Sequence, residues 1–263
     1  MNVDPRVGDA LPKRVSYSRE LIYRFEKAAG TLQIDSVIEE MALEVVVDGA
    51  PYRSLTCSPW NVRELVVGNL YTAGIVDAFD EVASVSIDEE AGFVEVATAG
   101  GAGARGRRSA GDVVDRVLCP EFDGDRATPV LVTAGAISEF MEFLEGNSRL
   151  FLRTGGVHNA AMVDASGTLL AWFEDIGRHN ALDKLAGWAL EAGVDASDKV
   201  LLFSGRVPRE IIARAIRVGF PVVVSPGAPT DLSIRLAAAH GVTLVGFAKN
   251  GRFNVYTHPG RIG

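Results

Sequence analysis

Cysteine is nearly absent from this sequence. Only Cys57 and Cys119 occur in 263 residues. That excludes a four-cysteine zinc site and a disulfide framework, so any role for either residue is as a free thiol. Also missing is any run near the roughly 18 apolar residues that a membrane helix requires. The opening segment MNVDPRVGDALPKR lacks the apolar stretch of a secretion signal, so a cytoplasmic location with no membrane partner is expected. Neither H-x-E nor P-C-x-x-C occurs, which removes zinc-deaminase chemistry and leaves no metal site in view. What the chain does have is 48% hydrophobic and 23% charged residues, enough for one large core or two smaller ones and unlike a disordered or fibrous protein.

The net charge of −8 hides an asymmetry. Residues 1–149 carry 14 Lys and Arg against 25 Asp and Glu, net −11, whereas residues 150–263 carry 12 against 9, net +3. An acidic first part argues against a general nucleic-acid binder, while a mildly basic, glycine-rich second part suits a small anionic ligand.

Residues 1–30 read as a polar N-terminal arm, and residues 31–135 as a strand-rich α+β domain. Within that domain Ser36–Val47 is a strand that turns at Asp48-Gly49 and returns through Tyr52–Cys57. A helix is expected from Asn61 to Ala73, and a second hairpin pairs Val82–Ile87 with Phe93–Ala97. Residues 98–124 include the low-complexity run Gly100–Gly111 and should form a mobile loop. From 136 to 263 the pattern changes, beginning with a helix at Ala136–Glu145. The strands Ala160–Asp164, Leu169–Glu174, Val200–Phe203, Val222–Ser225, Thr243–Phe247 and Asn254–Thr257 are interspersed with helices at Asn180–Glu191, Arg209–Arg217 and Asp231–His240. This predicts a three-layer α/β domain with a largely parallel sheet.

In such a sheet ligands sit beyond the carboxyl ends of the strands. Three loops, Ser204-Gly205-Arg206, Ser225-Pro226-Gly227-Ala228 and Ala248-Lys249-Asn250-Gly251-Arg252, should therefore share one edge. Small residues let backbone approach a ligand and two of the loops add cations, a combination suited to phosphate, although ordinary strand-to-helix turns would look alike. Arg178 and His179 fall at the start of a helix, where cations oppose the helix dipole unless an anion is shared with the free N–H groups. Leu182, Leu185, Ala186 and Ala189 supply the buried stripe of that helix, so Lys184 is expected to be free to face the same ligand. His158, in the linker Thr154-Gly155-Gly156-Val157-His158-Asn159, is either a site residue or a satisfied linker histidine. His240 and His258 read as structural or surface groups, and Cys57 as a core residue. Gly101, Gly103 and Gly106 formally match a dinucleotide fingerprint, but the strand before them belongs to a hairpin.

The motifs LEVVVDG, PWNVRELVVGNLYTAGIV, RTGGVHNAAMV, GRHNALDK, the SGR turn, VVVSPGAPT and GFAKNGRFNVYTHPGR together resemble the FdhD/NarQ family of formate dehydrogenase accessory sulfurtransferases. The likeness spans nearly everything outside residues 1–30 and 98–135. It implies a cytidine-deaminase-like C-terminal domain without zinc and a homodimer. It also implies a role in passing sulfur from a cysteine desulfurase to the molybdenum bis(molybdopterin guanine dinucleotide) cofactor, needed for formate dehydrogenase activity. The family's cofactor loop falls on Phe247, Ala248, Lys249, Asn250, Gly251 and Arg252. Arg178, His179, Arg206, Ser225 and His158 are the other expected contacts, and GDP should mimic the bound nucleotide.

One feature departs from the family pattern. Its members carry a C-x-x-C pair upstream of TGGVH, and the corresponding interval here holds Cys119 alone. A persulfide needs one thiolate, so Cys119 suffices in principle, with Arg116 favouring ionisation and Glu121 and Asp123 opposing it. The alternative is a non-catalytic protein that binds and inserts the cofactor after losing the thiol chemistry. A third reading, an oxidoreductase using the 101–106 glycines for NAD, predicts stabilisation by NAD and not by GDP.

Overall fold

The computed structural model describes residues 17–101 and 131–263. Cys119 and the glycine-rich run beyond Gly101 lie outside them. Among the described residues no helix is long and apolar enough to cross a membrane.

Strands β1 (Tyr17–Glu26) and β2 (Ala29–Ile38) form an antiparallel ribbon. The arm expected over residues 1–30 is therefore a strand from Tyr17 onward. The alternation Leu21, Tyr23, Phe25 that makes it one lies between Arg and Glu and reads as polar sequence. The strand expected to run unbroken from Ser36 to Val47 is two strands, since Glu39 and Glu40 form a corner after Ile38.

Strands β3 (Met41–Val47), β4 (Ala50–Cys57), β5 (Val82–Asp88) and β6 (Phe93–Thr98) make a four-stranded sheet in the order β4-β3-β6-β5. The Asp48-Gly49 turn has both residues at positive φ, the geometry of a tight two-residue hairpin. Helix α1 (Val62–Thr72) covers this sheet through Val62, Leu65, Val66 and Leu70, which pack with Leu43, Val45, Val94 and Val96. Its helical spacing of apolar residues is the one the sequence shows.

The second part holds helices α2 (Ala134–Asn147) and α3 (Arg149–Thr154), strands β7 (His158–Asp164) and β8 (Leu169–Asp175), and helix α4 (Arg178–Glu191). Then follow β9 (Lys199–Phe203), α5 (Arg209–Val218), β10 (Val222–Val224), α6 (Asp231–Ala239), β11 (Thr243–Lys249) and β12 (Arg252–Val255). The six strands are ordered β12-β11-β10-β9-β7-β8. Helices α4, α5 and α6 pack on one face, with Ala181, Leu185, Ile212 and Leu236 against Met162, Phe173, Leu201 and Val223. Helix α2 covers the other, where Ile137, Phe140 and Leu144 meet Val163, Leu202, Val224 and Val245. These are the three layers expected.

The sheet is mixed rather than largely parallel. Only β9, β10 and β11 run together, because α5 and α6 carry the chain back between them. β7 and β8 are joined by a short turn in which the Asp164 side chain accepts from the Ser166 and Thr168 amides, and β12 returns on β11 the same way, so those pairings are antiparallel.

Helices α1 and α4 cross at Gly68 and Gly187 with backbones in contact. A Cβ on Gly68 would lie 1.7 Å from the Asp183 carbonyl oxygen, and one on Gly187 would lie 2.0 Å from that of Glu64. This crossing locks the two halves together. Covered on both sides, α4 has Asn180 through Ala189 all buried.

Candidate functional site

Because β7 runs opposite to β9 and β8 opposite to β7, the start of β7 and the end of β8 share an edge with the carboxyl ends of β9, β10 and β11. His158 pairs with Asp175 at that edge, and α4 begins three residues beyond Asp175. Backbone and hydroxyl groups tie the strand ends into one rim. Ser225 Oγ donates to the Gly205 carbonyl at 2.5 Å and accepts from the Gly227 amide at 2.9 Å. The Phe247 amide donates to the Gly227 carbonyl at 3.2 Å, and the Asn159 amide donates to Ser204 Oγ at 2.7 Å. Gly227 is required here, since a Cβ would meet Arg206 N and Gly205 O at 2.7 Å.

Several expected residues meet on this rim: His158, Ser225, Phe247 and the N-terminus of α4, with Arg206 exposed beside Gly205. Phe247 stands at φ 54 where β11 bulges, which turns half of its ring surface toward solvent. Among the described residues the start of α4 has no side-chain cap, so its first amides have no intrahelical or capping partner there. Arg178 Nε is buried there and has no hydrogen-bond partner among the described residues. A buried guanidinium N–H left without an acceptor is costly, and with the uncapped helix start it has the chemistry that suits an oxyanion. Burial, reinforced by Arg178, lowers the pKa of His158, so its ring is neutral at pH 7 and serves as a hydrogen-bonding group.

Lys249, Asn250, Gly251 and Arg252 occupy a different position. Asn250 and Gly251 are at φ 53 and 70, a two-residue hairpin turn between β11 and β12. That turn and Ala248 lie along α2, facing Ile137, Met141 and Glu142, with Lys249 Nζ 3.8 Å from Glu145 Oε1. The loop expected to act as one unit thus reaches from the rim at Phe247 to the α2 side at Arg252.

Two expectations about α4 need restating. His179 lines a cleft between the halves with Asp183 and Arg214, while the Arg178 charge is felt both by His158 at the rim and by His179. Burial first, then Arg214 and Arg178, push the His179 pKa down to about 4. Lys184 does not face a ligand at all. It is fully buried, with Nζ 2.7 Å from Asp175 Oδ2 and 5.2 Å from the centre of the Trp60 ring. The reason is that α4 has no solvent face for it to use.

The residues that sequence reasoning missed are the polar ones holding this corner. Asp175 Oδ2 accepts from the Ser58 amide at 3.1 Å, and its Oδ1 accepts from the Gly177 amide and the Asn180 side chain. Asn180 also donates to the Thr56 carbonyl, and Trp60 Nε1 donates to that of Glu174. Behind the rim, Asn159 Oδ1 accepts from Trp172 Nε1, and Ser148 Oγ donates to Glu174, whose pKa burial raises. A visible signal existed: the carboxylates Glu174 and Asp175 end the otherwise apolar run LLAWFED. Cys57 lies at the same junction, completely buried, and burial together with the Asp175 charge pushes its thiol pKa up to about 12.

Comparison with known proteins agrees with these motifs. The FdhD/NarQ family matches residues 38–263. The chain belongs to that family. Members named sulfur carrier protein FdhD from Staphylococcus aureus strains MRSA252 and Newman are each 36% identical over 260 residues, covering 95% of this chain and 97% of theirs. A crystal structure from Desulfotalea psychrophila, provisionally described as a formate dehydrogenase accessory protein, superposes with a TM-score of 0.79 at 21% identity. It covers 94% of this chain and 99% of that one, so the family fold is shared through both halves.

Proposed function

We propose that this FdhD/NarQ protein is a sulfur carrier needed for formate dehydrogenase activity. In this reading it accepts sulfane sulfur from a cysteine desulfurase and delivers it to the molybdenum bis(molybdopterin guanine dinucleotide) cofactor held at the rim. Family membership over residues 38–263 carries the sulfur-carrier part. The buried, unpartnered Arg178 Nε beside the uncapped start of α4 supports anion capture at the rim. One guanine nucleotide phosphate meets Arg178, the first α4 amides and His158. Ser225 sets the backbone of the rim, Arg206 and Phe247 flank the nucleotide, and Lys249 and Arg252 receive the outer part of the cargo.

The carrier thiol is Cys119. Of the two cysteines, Cys57 has a thiol held far above neutral pH and no accessible surface, so it supplies no thiolate. Attack by the Cys119 thiolate on the outer sulfur of a desulfurase persulfide forms the new S–S bond and releases the desulfurase thiolate. The protein works as a homodimer in the cytoplasm. The ribbon supports a dimer: Leu21, Tyr23 and Phe25 of β1 and Leu32 and Ile34 of β2 share one face and are each more than half exposed. A two-stranded ribbon with such a face is unstable in water until covered.

The test is mass spectrometry after incubation with a desulfurase and free cysteine, paired with a formate dehydrogenase maturation assay. The expected result is one added sulfur on wild type and on Cys57→Ala, none on Cys119→Ala, and no maturation with Cys119→Ala. Full maturation by Cys119→Ala would instead establish the cofactor-insertion reading. Calorimetry with GDP reads the rim separately, and no heat from a folded wild type removes that half of the proposal.

A further inference from the structure

A cleft of about 320 Å³ lies between the halves, walled by β4 and α1 on one side and by α4 and α5 on the other. Asp183, fully buried at its floor, is already satisfied. It accepts from Asn69 Nδ2 at 2.8 Å, Thr72 Oγ1 at 2.7 Å and Arg214 Nε at 2.9 Å. Asp183 and Arg214 therefore neutralise each other, and two charges remain on the walls. Arg53 of β4 rests over the Tyr52 ring at 5.5 Å and has no ion-pair partner among the described residues. Glu210 of α5 has, among the described residues, only its chain neighbour Arg209 as an ion-pair partner, at 3.7 Å. A third group is left over: His179 is one of the lining residues, and its Nε2 is buried with no hydrogen-bond partner among the described residues.

One positive and one negative charge, from opposite halves, call for a ligand carrying one of each. A phosphate or dicarboxylate would need a surplus of cations that this cleft lacks. Leu55 and Ala213 add an apolar wall. We propose that the cleft binds a free α-amino acid as its zwitterion. Its carboxylate sits on Arg53, its ammonium group on Glu210, and the His179 ring supplies a hydrogen bond between them. The side chain lies against Leu55 and Ala213. This site is separate from the sulfur-carrier reading and survives if that reading fails.

The experiment uses the full chain and follows the His179 ring resonances by NMR. The twenty L-amino acids are added singly, and acetate and methylammonium serve as half-ligands. At least one amino acid is expected to shift His179 saturably, while neither half-ligand does so at the same concentration. Arg53→Gln and Glu210→Gln should each weaken that binding at least tenfold without changing GDP binding. If no amino acid moves the resonance, if acetate does so as strongly, or if both variants bind like wild type, the proposal is overturned. Should those variants fail to fold, Leu55→Trp fills the cleft without touching either charge. Loss of binding there supports the site and retention overturns it.

Discussion

Two sets of polar groups around the start of α4 are treated in opposite ways. Around Asp175 and Lys184 every charge is buried and answered: a 2.7 Å ion pair, the Ser58 and Gly177 amides, the Asn180 side chain and the Trp60 ring. Between Asp175 and Lys184 in sequence, Arg178 and His179 each keep a buried nitrogen with no partner among the described residues. Groups that hold a fold are satisfied within it, because an unpaired buried charge is expensive. Groups left wanting a partner beside a cleft or an open helix end mark where something else binds.

The contrast can be broken at its satisfied end first. Lys184→Ala leaves the Asp175 carboxylate uncompensated in the interior, and a loss of about 3–5 kcal/mol is expected in urea unfolding. A loss below about 1 kcal/mol would mean that the joint is not held by this pair. Next, Ser58→Ala removes the hydroxyl that accepts from the Ile176 amide and should cost about 1–3 kcal/mol by the same measurement. At the unsatisfied end the sign changes: Arg178→Met removes the orphaned N–H, so stability should hold or rise by up to about 1 kcal/mol while GDP binding weakens at least tenfold.

The remaining test is a pH dependence. The folded His179 ring titrates near 4 against an ordinary 6.5, held down by burial, Arg214 and Arg178 against the opposing pull of Asp183 and Glu210. Between those values the unfolded chain takes up the proton and the folded one does not. Stability therefore falls as pH drops from about 6.5 toward 4, and His179 adds no pH dependence above that window. Urea midpoints across the window should show a shallower slope in His179→Gln; an identical slope would place the dependence elsewhere.

Much of the fold was readable because its elements are local. The Asp48-Gly49 turn, the apolar spacing from Val62 to Leu70 and the β-branched runs at Val200 and Val222 each reported their own element. What escaped depended on neighbours. Lys184 looked free because a helix is ordinarily buried along one stripe, whereas α4 is covered by both α1 and the sheet. The β1–β2 ribbon escaped because its apolar alternation faces outward, and the place of His179 in the cleft depends on where β4 and α5 come to rest. The rim itself was legible, since strand order puts carboxyl ends together whatever the distant packing. Where the 247–252 segment bends toward α2 was not, because the bulge at Phe247 carries no sequence mark.

At Gly68 and Gly187 the peptide chains of two helices touch with no side chain between them, leaving no cushion on which one could glide past the other. To shear the halves by a single residue would drive Val67 or Asn69 into the Asp183 carbonyl, so this crossing admits one register of the two helices. Whatever gives way during sulfur delivery must be sought outside that contact.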